Sequence, residues 1–457
     1  MHSPLLDAAT ARSFHVKLVM CRSKEGVTQS LLKDEFKSYI YGTNFCNHAR
    51  TNNKKRVNNN MRNGWRLFYA TDFQSLMYPC FTFCRILGIF PYKINDSTFE
   101  ASRSRYILST IVICMFCVYG IITLYVLNIS GTIIYISVPR SLERHSYYVL
   151  GSFVAIVTYV SRGPRLILLQ TVQEVSSELP SESYKKLSRL IHVKDILGFF
   201  FLVILTLVCF IKMTLSSILL TMFSIYLTLV LFQMNMLYMN CVCVLKVCFK
   251  KINDNLTKVQ ELIMSDKPHL LRRIYHEQKN PFLLMKLKAL KKQHLMVSDT
   301  VQMLNMIFSL QIIVTIVVCF SEITFNLYFY IVLSMANEEE EEFWYSFFMM
   351  CVIYYIIKIV LIVWACDSGK DQAAKIGITV HDLLNNTSDK EIKNELQLFS
   401  MQILHRENAF SAKGLTVDAT LLTAMVGSIT TYLLILIQFL VTSHSCGGRA
   451  ASFTEIV

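Results

Sequence analysis

Apolar residues in this chain gather in blocks about 20 residues long, not in the short alternating runs of a soluble domain. A block of that length crosses the hydrocarbon of a bilayer as a helix. Seven blocks stand out, at 106–128, 147–169, 196–212, 217–249, 301–335, 343–366 and 418–442. The pattern predicts an all-α membrane protein with seven transmembrane helices. The third and fourth blocks form a tight hairpin, and the fourth and fifth are long enough to project beyond the bilayer. The clean apolar run of the second stops at Arg162-Gly163-Pro164-Arg165, which marks its inner end or a kink. A further stretch, 73–92, is interrupted by Pro79, Arg85 and Pro91 and predicts an interfacial helix leading into the first span. Residues 1–20 lack the continuous apolar core of a signal peptide.

Composition fits this picture. Hydrophobic residues make up 53% and charged residues 17%, against about 25% charged in a typical soluble protein. That excludes a disordered chain, a coiled coil and an ordinary soluble enzyme. The formal net charge of +13 is distributed unevenly. Of the 45 Lys and Arg, 40 fall before span one or in the loops after spans two, four and six together with their flanks. Only Arg140, Arg144, Lys212 and Arg449 fall on the opposite side, and Lys358 lies within span six, near enough to its end to snorkel. The positive-inside bias places the N-terminus in the cytoplasm, and an odd number of spans places the C-terminus outside. The run Arg50-Thr51-Asn52-Asn53-Lys54-Lys55-Arg56 reads as part of a cytoplasmic tail near anionic lipid rather than a nucleic-acid site.

The expected organisation has three parts. Residues 1–105 form a cytoplasmic N-terminal region with the interfacial helix near 73–92. Residues 106–442 form the seven-helix bundle, including cytoplasmic anchor segments at 250–300 and 367–417. Residues 443–457 form an extracellular tail. In the anchor segments, Leu284, Leu287 and Leu290 recur every third residue, and Ile392, Leu396, Leu398, Ile403 and Phe410 give a second amphipathic pattern. These faces need a partner, and another subunit would supply one. The sequons at Asn255, Asn385 and Asn386 fall on the cytoplasmic side and are expected to be silent, whereas the one at Asn128 hugs the outer membrane surface.

No catalytic constellation, cofactor site or metal site is expected. Most of the 14 cysteines, among them Cys114, Cys117, Cys209, Cys241, Cys243, Cys319 and Cys351, lie in apolar segments, where cysteine acts as a small hydrophobe. Cys80 and Cys84 lack a second pair placed to complete a zinc site. The polar residues inside the spans are more informative, since polar groups in lipid must face protein or water. In span seven, Ser428, Thr431, Ile435, Gln438 and Thr442 are spaced 3, 4, 3 and 4, which puts four polar side chains on one helical face. Periodicity alone leaves two readings open, interhelical hydrogen bonding or a water-lined pore. A single helix cannot enclose a pore, so the second requires an oligomer.

Glu322 lies in span five near Asn326, Tyr328 and Tyr330. It faces either an internal hydrogen bond or a ligand. Tyr148, Ser152, Tyr159, Tyr354 and Tyr355 supply the aromatic and hydroxyl groups of a pocket. The tentative ligand set is therefore Tyr148, Ser152, Tyr159, Glu322, Asn326, Tyr330 and Tyr355. The glutamate run at 338–342 reads as a solvated outer loop, with concentration of cations at a pore mouth as the sharper alternative.

A cytoplasmic N-terminus weighs against a G-protein-coupled receptor, as does the lack of an Asp-Arg-Tyr triplet or an Asn-Pro-x-x-Tyr motif. Span seven contains Thr431-Tyr432-Leu433-Leu434-Ile435-Leu436-Ile437-Gln438-Phe439. This run resembles the Thr-Tyr, five apolar residues, Gln-Phe signature of insect gustatory receptors. Ala409-Phe410-Ser411-Ala412-Lys413-Gly414, Leu421-Leu422 and Leu87-Gly88-Ile89-Phe90-Pro91 look like the same family. The resemblance covers about 73–439, with its specific residues in the last 35.

The resemblance implies an insect chemoreceptor-type channel subunit in the plasma membrane of sensory neurons. It further implies a tastant-gated, non-selective cation channel. Its small-molecule ligand would be a sugar or a bitter compound, and its partners membrane lipid and three other subunits of the same or related chains. The last helix of each subunit would line the pore at Ser428, Thr431, Ile435, Gln438, Phe439 and Thr442, with the gate near Gln438 and Phe439. Leu433 stands where one sugar-receptor branch carries Glu after the Tyr, which argues against that branch. The alternatives are a seven-helix receptor signalling through a cytoplasmic transducer, or a small-molecule transporter.

Overall fold

The computed structural model describes residues 68–95, 98–128, 138–211, 218–264, 272–336 and 342–446. The chain divides into two units, 1–64 and 65–457, and the first lies outside the described residues. The basic run at 50–56, most of the glutamate run, Ile129 and Ser130 of the Asn128 sequon and residues 447–457 also lie outside them.

Ten α-helices and four short strands make up the described fold. Helix α1 (Phe73–Ile86) is followed by strands β1 (Tyr92–Asn95) and β2 (Thr98–Ala101), then by α2 (Arg103–Asn128), α3 (Val138–Val160) and α4 (Arg162–Ser176). Next come α5 (Ser181–Ile211), α6 (Ile218–Met264), α7 (Arg272–Ala336), α8 (Glu342–Asn386) and α9 (Lys390–His405). Strands β3 (Ser411–Ala412) and β4 (Leu415–Thr416) precede the last helix, α10 (Ala419–Cys446). Six helices are long and apolar enough to cross a membrane, and α3 with α4 makes a seventh if the bent pair is one span.

The second span is where sequence and structure differ most. Its helix begins at Val138, two turns before the predicted start, and bends by 65° between Val160 and Arg162. The bend falls at Ser161, just before Arg162-Gly163-Pro164, because a proline removes a backbone donor and crowds the preceding turn. The stretch 73–92 begins with helix α1, capped by Asp72, whose side chain accepts from Ser75 N. It ends at Ile86, and β1 and β2 pair antiparallel, a feature that apolar content alone did not reveal.

Helices α6, α7 and α8 run 47, 65 and 45 residues. At 1.5 Å per residue, α7 is about 100 Å long, roughly three times the hydrocarbon thickness of a bilayer. Residues 250–264, 272–300 and 367–386 thus continue the helices of the fourth, fifth and sixth apolar blocks. Helix α6 is the central post, with its apolar window 89% buried. It carries three buried amides, Gln233, Asn235 and Asn240. A buried amide without a partner is costly in lipid, so each recruits a different neighbour. Gln233 Nε2 donates to Cys80 O of α1 at 3.0 Å. Asn235 Oδ1 accepts from Thr315 of α7 at 3.1 Å, and Asn240 Nδ2 donates to Asp195 of α5 at 2.9 Å.

Helix α9 packs along α7. Lys291 pairs with Glu395, and Arg406 reaches Asp299 at 3.0 Å. Buried His294 receives Gln402 at 3.0 Å and packs edge-on against Phe399. Beyond α9, Lys413 and Gly414 both adopt positive φ, 47° and 87°, and turn β3 into β4. That pair is the two-residue hairpin turn that needs the left-handed region twice, which explains the Lys-Gly before the last helix.

Candidate functional site

Two features stand apart from ordinary packing, the surface of α10 and a cavity among α3, α5, α6, α7 and α8. Helix α10 is an apolar helix whose window is only 6% buried within the chain. Ser428, Thr431, Ile435, Gln438, Phe439 and Thr442 are all exposed, with Phe439 72% exposed. Thr431 and Thr442 turn their hydroxyls back onto Gly427 O and Gln438 O, both at 2.9 and 2.8 Å respectively, within their own helix. The stripe therefore makes no interhelical hydrogen bond through those two hydroxyls within this chain. Tyr432 of the same motif packs edge-on against Phe320 of α7 at 5.7 Å. Leu433, Leu436 and Leu440 face the cluster of Phe325, Phe329 and Phe348.

The foot of α10 is fixed by Asp418. Its carboxylate accepts from Thr420 N at 3.2 Å and from Lys370 Nζ of α8 at 3.3 Å. The Thr420 hydroxyl and the Lys370 ammonium hold the Asp418 carboxyl below the usual carboxylate range.

The cavity encloses about 290 Å³, close to the lower end of the range for small-molecule sites. Helix α3 brings Arg140, Glu143, Tyr147 and Tyr148 to it, and α6 brings Thr221, Ser224 and Thr228. Helix α7 contributes Glu322 and Asn326, and α8 contributes Trp344, Phe347 and Tyr355. Arg140 and Glu143 pair at 3.0 Å, and the Arg140 guanidinium lies 5.0 Å from the centre of the Phe329 ring. Tyr147 shares a hydrogen bond with Thr228, which ties α3 to α6. Asn326 Nδ2 donates to Glu322 O at 2.7 Å and lies 3.4 Å from Glu322 Oε2. Glu322 is 8% exposed.

Of the seven residues expected to form a ligand pocket, the structure brings Tyr148, Glu322, Asn326 and Tyr355 to this cavity. It separates the other three from it. Tyr159 lies at the opposite end of α3, its hydroxyl 3.0 Å from Thr110 and its ring 3.9 Å from the Arg162 guanidinium. Ser152 is half-buried toward Gly120 of α2, and Tyr330 packs on Tyr345 at 5.5 Å. For the two residues on α3, the cause is depth along the helix. Ser152 lies one turn beyond Tyr148, about 6 Å along the axis and toward Gly120 of α2, and Tyr159 lies 11 residues on, about 16 Å. Near Tyr159, the Tyr92 hydroxyl donates to Arg162 O, and burial pushes that phenol up to about 12.

Sequence reasoning missed Glu143, Tyr147, Thr228 and Trp344. A signal existed for the α6 wall, since Thr221, Ser224 and Thr228 are spaced 3 and 4 along an apolar block. No such signal existed for Arg140 and Glu143, which lie before the apolar run begins.

Long apolar helices, a cavity inside the bundle and an exposed, polar-striped last helix define a multi-pass membrane protein. Residues 77–442 match the family described as 7tm chemosensory receptor, and the chain belongs to it. That family is one of insect chemoreceptor channels, not of enzymes. The chain is 34% identical over 169 residues to the provisionally named gustatory receptor 28b of Drosophila melanogaster, a match covering 35% of this chain and 36% of that protein. It is 40% identical over 90 residues to gustatory receptor 28a of the same organism, covering 20% of each. The matched parts thus span about a third or less of those relatives' length. Among solved structures, the insect olfactory receptor OR5 from Machilis hrabei superposes with a TM-score of 0.62 at 13% identity, covering 80% of this chain and 98% of that one. The same receptor in complex with eugenol gives 0.61 at 13% identity, with the same coverage.

Proposed function

We propose that this chain is a gustatory receptor subunit that opens a non-selective cation pore when a small tastant, a sugar or a bitter compound, occupies the cavity around Glu322. The exposure of the whole polar stripe of α10 carries this reading. A helix that only faced lipid would have no use for Ser428, Thr431, Gln438 and Thr442 on one side. A ring of four copies, alike or mixed with related subunits, would bring four such stripes together around water. The N-terminus is cytoplasmic in this reading, by the bias of Lys and Arg, and the C-terminus extracellular. The cavity then lies in the outer half of the bundle, and segments 250–300 and 367–417 form a cytoplasmic anchor between subunits. Residues 1–105 are the cytoplasmic N-terminal region, and 443–457 the outer tail. The protein works in the plasma membrane of sensory neurons, surrounded by lipid.

Movement would reach the pore through α7 and α8, which line the cavity and also contact α10 at Phe320 and Lys370. Patch-clamp recording from cells expressing the chain, during a panel of sugars and bitter compounds, tests the reading. Rapid cation current in excised patches without nucleotide is expected, from this chain or with a related subunit. Ligand-evoked signals that vanish under G-protein block, or substrate uptake without channel-size current, would overturn it.

A further inference from the structure

We propose that the cavity around Glu322 selects ligands carrying a protonated amine beside an aromatic or apolar body, with Glu322 as the counter-ion. The inference rests on the reading of that cavity as the tastant site and goes on to assign the chemical class of its ligand.

Glu322 is a carboxylate more than nine-tenths buried that lines an open cavity. Among the described residues it enters none of the ion pairs. Its carboxylate accepts one long hydrogen bond, from Asn326 at 3.4 Å. The other charged groups are already engaged. Arg140 holds Glu143 and lies over Phe329, and Arg144 also has a partner within the protein. Lys358 turns its ammonium to the rings of Tyr354 and Tyr355, 5.6 and 5.5 Å from their centres, and is not among the ion pairs of the described residues.

The remaining wall is aromatic. Tyr147, Tyr148, Trp344, Phe347 and Tyr355 line the same space. A carboxylate beside several ring faces is the chemistry that holds an ammonium ion, since ring quadrupoles and a negative charge attract it together. Beside an uncharged hydroxylated ligand the buried carboxyl would keep its proton, whereas an ammonium favours the ionised form and pairs with it. An ammonium supplies that charge and two or three hydrogen-bond donors.

The test compares 2-phenylethylammonium with 2-phenylethanol, which differ only in the charged group. The full chain in lipid nanodiscs is titrated with each while tryptophan fluorescence is followed. Trp344 lies in the cavity, so its signal reports occupancy there, and Trp344→Phe must abolish it. The ammonium is expected to bind about tenfold or more tightly than the alcohol, and Glu322→Gln to remove the difference. Equal affinities in the native chain would overturn the amine class while leaving the cavity a ligand site. A preference that survives in folded Glu322→Gln would overturn the counter-ion role. If neither compound reaches Trp344, the class and the cavity reading fall together. Should Glu322→Gln misfold, the native comparison still decides.

Discussion

Lys370 of α8 donates to Asp418 at 3.3 Å, and Asp418 is the residue that caps the start of α10. One ion pair thus links a helix that lines the cavity to the helix that carries the polar stripe. Lys370→Met is expected to shift the ligand concentration for half-maximal current by severalfold while leaving single-channel conductance unchanged. A conductance change without a shift in sensitivity would place Lys370 at the pore instead. The tie is also insensitive to moderate pH. Asp418 has a depressed folded-state carboxyl, so its contribution holds above the unfolded carboxylate value and is lost only as pH falls below it. Half-activation mediated by this pair should be flat from about pH 5 to 8.

Gly369, the neighbour of Lys370, has no room for a side chain. A Cβ there would lie 2.6 Å from the Phe410 ring, and Phe410 is fully buried between α9 and β3. Gly369→Ala should destabilise the solubilised protein by about 1–3 kcal/mol, read as a lower melting temperature. Adding Phe410→Leu should recover part of the loss, because the clash is with the ring. A double variant no better than the single would show that the strain lies elsewhere.

Gln438 is exposed on α10, two turns from Thr431 of the same motif. Gln438→Ala should alter conductance or cation selectivity with surface expression intact. Single-channel recording with sodium and potassium exchanged across the patch measures this. Currents indistinguishable from the parent would remove Gln438 from the pore.

The Thr315 hydroxyl donates to Asn235 in the buried seam between α6 and α7. Thr315→Val keeps the shape and removes the donor. A loss of about 0.5–2 kcal/mol is expected, visible in thermal unfolding, with ligand affinity unchanged. An effect on affinity alone would assign the pair to the ligand site, not the scaffold.

The sequence by itself located six of the long apolar helices, because about 20 uncharged residues in a row fit the hydrocarbon of a bilayer, but the bend that splits the second span at Ser161 came from the structure. It also carried the Thr431–Phe439 run and the polar stripe, since helical periodicity places residues on a face without knowledge of any neighbour. The tertiary structure alone decided which faces meet. Gln233, Asn235 and Asn240 are near one another in the sequence, yet they bind three different helices, Cys80, Thr315 and Asp195 being their partners. Tyr159 and Ser152 carry the same pocket chemistry as Tyr148 but lie on other sides or at another depth of α3. Glu322 stood out as a charge in lipid from the start. That it lies with Tyr147, Trp344 and Tyr355 in one cavity required five helices to be packed first. Periodicity fixes the direction of a side chain about its own axis. What it faces depends on contacts between residues far apart in the chain, and no local pattern encodes those.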